Sequence, residues 1–434
     1  MITDTHLSEL IKGSLSSFIL KILGMLFGYL GMLFITNRYG AEEFGIYTVG
    51  ITLLSIVVLI PKFGMDQSLV RIVGELFTNN EVNKLYNALK KAIIFTVFLS
   101  TIMSLIVIIN SDAIALLIGK PELSKTINIV GYAIFPVALM AVLSAAIQGM
   151  RRTVVYTLTS SVLMPFLFFV ALIFFSFMTT KINTLELYVG TTFVAILFAL
   201  VMLRVVLPNR LYKNTIDAYP FSNIIKISSP MLLTSSFVLI MSWTDILMLS
   251  YYATVAEVGI YSAALKVAAI TSISLMAINA IAAPKFVQFY ANNDMKGLAT
   301  IAQQSTKLIF FTSLPILILI FVLTEWLMGL FGDEFIVGVV VLLFMGVAQF
   351  VNAFSGSVGY IMQMTDNQKT LRNVILLAAV LNIVLNYFLI PKYGINGAAF
   401  ASMVCMIFWN VILVLIIKIK MGFYTIYNPF QRVN

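Results

Sequence analysis

The chain has 434 residues, of which 61% are hydrophobic and only 10% charged, and its mean hydropathy is +1.02. Soluble globular domains carry about 25% charged residues, so the composition excludes one and describes an all-α integral membrane protein with many spans. One cysteine, Cys405, and one histidine, His6, leave no disulfide framework, no cysteine–histidine metal site and no histidine-based catalysis; no metal and no cofactor is expected.

About twelve apolar windows can be marked, each long enough to cross roughly 30 Å of hydrocarbon as a helix. The first runs from about Ser14 to Thr36, with Gly24, Gly28 and Gly31 on a face that permits close helix packing. Lys21, three residues before Gly24, shares that face and either looks inward or snorkels to the headgroups. Asp4 and Glu9 precede it with only Lys12 for a base, and no small-residue cleavage site follows; a removable signal peptide is not expected, and the run stays as the first span. An outer loop with Arg38, Glu42 and Glu43 leads to the second window, Phe44–Ile60, and then to a basic connection, Lys62–Lys91, where Asp66 and Arg71 sit in a partly apolar stretch. Windows three to six fall near Ala92–Ile109, Thr126–Gln148, Val154–Phe177 and Leu185–Leu203.

The polar segment 208–221 is the natural lobe boundary, giving an N-lobe of residues 1–207, a linker and a C-lobe of residues 222–434. Windows seven to twelve fall near Ser229–Tyr251, Val258–Ala283, Lys307–Thr324, Ile336–Met364, Leu371–Ile390 and Gly397–Ile417. Within the seventh and eighth, Asp245 and Lys266 are single charges at matched depth on the two arms of a hairpin. An unpartnered charge at the bilayer centre costs about 2.5–3.5 kcal/mol or more, so the two are expected to form an ion pair.

The net charge of +9 is unevenly placed. With alternating spans, most Lys and Arg fall on the side of the N-terminus, the bias that sets topology. Both termini are therefore expected in the cytoplasm, and the basic loops are read as orientation signals that attract anionic lipid and not as a nucleic-acid surface. A repeat runs through the chain as well. Glu257 follows Glu43, Tyr261 follows Tyr47 and Lys285 follows Arg71, each by the same 214 positions. Matches in one register indicate two lobes of six spans; six is even, so the lobes run parallel through the membrane.

The tenth window carries a polar stripe, Gln349, Asn352, Gly356, Gly359 and Gln363, spaced three, four, three and four, which keeps one helix face. Asn382 and Asn386 repeat the spacing in the next window. The stripes are either interhelical hydrogen bonding or the wall of a hydrated cleft, whose amides suit hydroxyl-rich sugars.

These stretches also carry a resemblance. The run from Asn37-Arg38-Tyr39-Gly40 to Gly45-Ile46-Tyr47, the segment from Phe63-Gly64-Met65-Asp66 to Arg71, and above all Leu381-Asn382 through Asn386 to Pro391-Lys392-Tyr393-Gly394-Ile395-Asn396-Gly397-Ala398-Ala399 resemble the signatures of the polysaccharide transporters. That family is a branch of the multidrug/oligosaccharidyl-lipid/polysaccharide (MOP) flippase superfamily, which also holds multidrug antiporters and the lipid-linked peptidoglycan-precursor flippases. The resemblance implies a MATE-like fold, and Asp245 and Lys266 fall where these transporters commonly place an acid in span seven and a base in span eight. It further implies export of an isoprenoid-pyrophosphate-linked oligosaccharide from the inner to the outer leaflet of the cell membrane by a monomer, with membrane lipids, polysaccharide polymerase and other envelope-assembly proteins as partners and a proton or sodium ion as the possible driver. Lys21, Arg38, Asp66, Arg71, Asp245, Lys266, Gln349, Asn352, Gln363, Asn382 and Asn386 are the substrate-path candidates. Two other readings remain: a cation-coupled drug antiporter, which would want several deep acids where only Asp245 is clear, and a membrane glycosyltransferase or polymerase, which would want a large outer loop with clustered acids.

Overall fold

The structure is a computed structural model that describes residues 4–178, 183–208 and 219–426; the side chains of 4–15 and 233–242 fall outside the description. Every regular element described is helical. The first helix, α1 (Asp4–Val57), is two helices joined at Gly40, whose φ of 84° and ψ of −177° suit glycine alone. The short α2 (Leu59–Lys62) follows. Phe63 and Gly64 then reverse the backbone at φ 48° and 70°, and α3 (Met65–Thr78) begins. Its buried residues Met65, Ser68, Leu69, Ile72, Val73 and Leu76 recur at three- and four-residue spacing, the stripe of a one-sided helix.

Next come α4 (Val82–Ile109), α5 (Ser111–Leu117), α6 (Ser124–Gly149) and α7 (Thr153–Thr157). A single π turn, Leu158–Val162, leads into α8 (Leu163–Ser176). Asn183 caps α9 (Thr184–Val206), its side chain accepting from the amides of Leu185 and Glu186. On α4 the outward residues Ile94, Phe98, Leu105 and Ile109 are exposed, while Ala88, Ala92, Thr96 and Ser100 are buried. Small and hydroxyl residues inward with large apolar ones outward is the pattern of a helix facing lipid. The second half of the chain holds α10 (Phe221–Tyr252), α11 (Val255–Ala269), α12 (Ser272–Ala291), α13 (Met295–Val322), α14 (Thr324–Gly329), α15 (Val339–Ser355), α16 (Val358–Met364) and α17 (Gln368–Met421). The last is again two helices, joined at Gly394 (φ 54°, ψ −133°).

Among the described residues nine helical runs are long and apolar enough to cross a membrane, and the hinged pairs about Gly40 and Gly394 account for two of them. Two windows read as continuous are broken. The eighth divides into α11 and α12 at Ile270–Thr271, and the tenth divides at Gly356, whose φ is 73°.

Contacts separate two compact units, Met1–Tyr39 with Ile46–Trp243, and Gly40–Gly45 with Thr244–Asn434. The division at 243/244 lies inside α10. The start of α10 belongs to the first unit because Ile224 joins its apolar core and the hydroxyls of Ser228 and Ser68 hydrogen-bond at 2.6 Å. Gly64 also runs so close beneath the backbone of Ser228 and Leu232 that a Cβ would collide with it. Of the expected linker, residues 209–218 lie outside the described residues. Its flanks are tied to α4: the Tyr86 hydroxyl donates to the Pro208 carbonyl at 3.1 Å and Lys91 Nζ to the Tyr219 carbonyl at 2.7 Å.

Candidate functional site

The second unit is built around one carboxylate. Asp245, near the end of α10, accepts from the Tyr261 hydroxyl at 2.6 Å through Oδ2, from Asn386 Nδ2 at 2.6 Å through Oδ1, and from the Ser402 hydroxyl. The same Asn386 amide donates to Asn382 Oδ1 at 3.0 Å, and Asn382 Nδ2 donates to Ser402 Oγ at 3.2 Å. Four helical segments thus converge on one anion. Each placement has a local cause. Thr254 and Glu257 form a capping box that starts α11, with Glu257 Oε2 accepting from the Thr254 amide at 2.7 Å, and Tyr261 sits one turn further along. Asn382 and Asn386, four apart, share a face of α17 before its Gly394 break, and Ser402 returns on the segment after it.

The ion pair expected between Asp245 and Lys266 is not formed; the partners of Asp245 are neutral hydroxyls and an amide. Lys266 lies five residues after Tyr261, about 140° around the helix, so the face of α11 that offers Tyr261 to the carboxylate turns the lysine away. It is exposed. Strong charge-assisted hydrogen bonds do what the opposite charge was invoked for. Asn382 and Asn386 are correspondingly buried, at 7% and 0% exposure, and do not face open solvent.

The tenth-window stripe survives only in its first turn. Gln349 Oε1 accepts from the Ser272 hydroxyl and from Asn352 Nδ2, both at 3.3 Å. Beyond Asn352 the turn at Gly356 resets the helix, and Gln363 ends exposed on α16. Asp66 is paired with Lys62 at 3.3 Å, both partly buried. Arg71 is exposed and, with Glu75, borders the ring of Tyr219, whose phenol is pushed up first by burial and then by the Glu75 carboxylate, with Arg71 opposing. Lys21 is half-buried and Arg38 exposed. Single cysteines at the half-buried Gln349 and Asn352, on a Cys405→Ser background, are expected to react with a small water-soluble thiol reagent, whereas cysteine at Asn386 is expected to stay unreacted. Equal labelling of all three would break the distinction.

The site has a counterpart in the first unit. Subtracting the repeat interval of 214 from Asp245, Tyr261, Asn382, Asn386 and Ser402 gives Gly31, Tyr47, Phe168, Leu172 and Tyr188. These residues also meet. The Tyr47 and Phe168 rings stack at 5.3 Å, Tyr188 packs edge-on against both at 5.9 and 5.5 Å, and Leu172 and Phe168 are what a Cβ on Gly31 would touch. One repeat fills these five positions with three rings, a leucine and a glycine, the other with a carboxylate, its three donors and Asn382, which bonds two of those donors. Tyr261 and Ser402 were missed by sequence reasoning. The repeat register flagged Tyr261 without giving it a role, and nothing flagged Ser402.

The family described as "Polysaccharide biosynthesis protein" matches residues 10–290, more than half of the chain. The chain belongs to that family. A second match, to MatE, covers residues 230–388, which contains Asp245, Tyr261, Asn382 and Asn386. A probable low-salt glycan biosynthesis flippase, Agl15 of Haloferax volcanii, is 22% identical over 91% of this chain and 80% of its own length. Among solved structures, the lipid II flippase MurJ in an inward closed conformation aligns with a TM-score of 0.75 at 16% identity, covering 95% of this chain and 89% of that one. An inward-facing multidrug-resistance MATE transporter of the MOP superfamily also gives 0.75, at 13% identity over 93% and 98%. A MOP transporter from Pyrococcus furiosus gives 0.67 at 14% identity over 95% and 96%. This polysaccharide biosynthesis family member is therefore a multi-span protein of the MOP fold.

Proposed function

We propose that the chain is a flippase that moves isoprenoid-pyrophosphate-linked oligosaccharide from the cytoplasmic to the outer leaflet by alternating access, and that Asp245 is its switching group. The family match over residues 10–290 carries this reading, and the flippase name of the Haloferax relative supports it. A carboxylate held by three neutral donors can exchange those bonds for a proton or a sodium ion. Asn386 Oδ1, buried beside it and without a hydrogen-bond partner among the described residues, adds a further oxygen to those of Asp245, Asn382 and Ser402, a set that fits a hard monovalent cation. Lys21, Arg38, Arg71 and Lys266 are proposed to meet the pyrophosphate and Gln349, Asn352 and Gln363 the sugars, with polymerase and other envelope-assembly proteins acting on the product.

The proposal includes twelve spans in two six-span lobes, residues 1–207 and 222–434, in a parallel repeat. The nine apolar runs, the hinges at Gly40 and Gly394, and α10 support the count. The shared positions of the polar and aromatic clusters support the repeat. Both termini are proposed cytoplasmic from the distribution of basic residues. Lys84→Cys on the Cys405→Ser background should therefore be labelled only after the membrane is permeabilised; labelling from outside would reverse the topology.

The decisive experiment reconstitutes the protein in liposomes with a pyrophosphate-linked oligosaccharide and follows the exposure of its sugars to an external glycosidase. Exposure that grows only with the protein present supports the flippase. The MatE match over the segment that holds Asp245 favours a second reading, a cation-coupled drug antiporter. Asp245-dependent efflux of ethidium without glycan movement would establish that one instead.

A further inference from the structure

The tenth apolar window is broken in the middle of the second unit's core. The helix α15 stops at Ser355, Gly356 adopts φ 73° and ψ −143°, and α16 restarts at Val358. The Gly356 amide donates to the Asn352 carbonyl, and the Ser355 carbonyl accepts from the Thr425 hydroxyl at 2.9 Å. Thr306 of α13 packs against Gly356 so tightly that a Cβ there would overlap it. Three more buried polar side chains belong to the elements packed here. Asn279, on α12, lies one turn before Ala282; Asn410, on α17, lies one turn before Leu413; Ser357 immediately precedes Val358. Ala282, Leu413 and Val358 belong to one buried apolar cluster, so each of the three polar residues adjoins a member of that cluster along its own helix.

All three are inaccessible, Asn279 and Asn410 at 0% and Ser357 at 1% exposure. Among the described residues their atoms also have no hydrogen-bond partner: both Nδ2 and Oδ1 of Asn279, Oγ of Ser357, and Oδ1 of Asn410. A buried polar group left without a partner costs about 1–3 kcal/mol. The repeat makes the pattern more telling. The matching positions of the first repeat, 214 residues before Asn279 and Asn410 and, by the interval at which Gln363 follows Gln148, 215 before Ser357, are Met65, Ile196 and Val142, and these share a single buried apolar cluster. The fold can fill this place with hydrocarbon, yet the second repeat puts two amides and a hydroxyl there.

We propose that Asn279, Ser357 and Asn410 form a site for ordered water, which bridges α12, the α15–α16 break and α17. The chemistry chooses water over a cation. The helices α12, α13, α15, α16 and α17 contain no Asp or Glu, so a buried cation would have no counter-charge, and it would repel the Asn279 Nδ2 donor. Water both donates to the two Oδ1 atoms and accepts from Nδ2 and the serine hydroxyl, and buried waters typically make about three such bonds. Hydration at this point satisfies polar groups that a continuous apolar core would strand, and it makes the α15–α16 joint a wet one inside an otherwise dry core.

Radiolytic hydroxyl labelling of the full chain in nanodiscs tests the site, because bound water generates radicals beside the residues it touches. Met362 is 0% exposed in the cluster that these residues adjoin, and Met65 is 0% exposed in the apolar counterpart. In the wild-type protein Met362 is expected to oxidise several-fold more than Met65. In the triple variant Asn279→Met, Ser357→Val, Asn410→Ile, which installs the residues of the first repeat, the ratio should fall to unity while the Tm is kept or raised. Should the triple variant not fold, Ser357→Ala removes one ligand alone and should lower the ratio. A wild-type ratio of unity, or a ratio unmoved by both variants, would overturn the proposal. So would a sodium- or potassium-dependent Tm that the variants abolish, which would mark a cation site.

Discussion

Asp245→Asn is expected to reduce glycan-lipid translocation to the level of protein-free liposomes while the protein still inserts and unfolds within a few degrees of wild type. Two opposing terms set the stability. Neutralising a charge inside a span relieves about 2.5–3.5 kcal/mol, and losing the charged acceptor of three donors forfeits about 1.5–3 kcal/mol for each bond not remade. Asparagine keeps one acceptor for Asn386, and its amide can donate to the Tyr261 or Ser402 hydroxyl once that hydroxyl turns. The fold is therefore spared, while the ability to exchange donors for a proton or a cation is gone. Thermal double-mutant cycles identify the partner. Asp245→Asn with Tyr261→Phe should couple by about 0.5–3 kcal/mol, as residues in contact do. Asp245→Asn with Lys266→Gln should be additive within about 0.5 kcal/mol. Strong coupling in the second cycle would restore the ion pair that the sequence suggests, and wild-type flipping by Asp245→Asn would remove the carboxylate from the transport cycle.

The contrast between those cycles marks where the sequence stops being legible. Most apolar windows and the shared helix face of Asn382 and Asn386 follow from local periodicity and appear in the structure, although the eighth and tenth windows are broken. Asp245 was singled out for the right reason, that a buried charge needs compensation. What compensates it was misjudged, because Lys266 is the visible opposite charge in the hairpin whereas Asn386 and Ser402 arrive from helices 141 and 157 residues away. No spacing rule reaches that far. The stripe from Gln349 to Gln363 failed differently. Its spacing assumes one unbroken helix, and the positive φ of Gly356 ends the face halfway, which leaves Gln363 outside it.

Gly45→Ala and Gly259→Ala are expected to lower the Tm by similar amounts, because the two glycines make the same contact in exchanged roles. Within the second unit, which includes Gly40–Gly45, a Cβ on Gly45 would overlap the Val255 carbonyl and one on Gly259 would overlap the Ala41 carbonyl. Gly259 follows Gly45, and Val255 follows Ala41, by the repeat interval of 214, so each contact is the other with the repeats swapped, the reciprocity of a two-fold interface. The helix ends around it are matched as well. Thr254 and Glu257 cap one, and at the equivalent place in the other the Glu334 carboxylate accepts from the Ala41 amide at 2.7 Å. Backbones this close leave no side chain that can move aside, so an added methyl must part the helices, at about 1–3 kcal/mol or more. The double variant should lose less than the sum, because helices already parted by one methyl admit the second. Gly28→Ala, where a Cβ meets nothing within 4 Å, should leave the Tm unchanged. A large fall for Gly259→Ala beside none for Gly45→Ala would show that the crossing bears load on one side only, and would separate the sequence repeat from the packing that it is expected to produce.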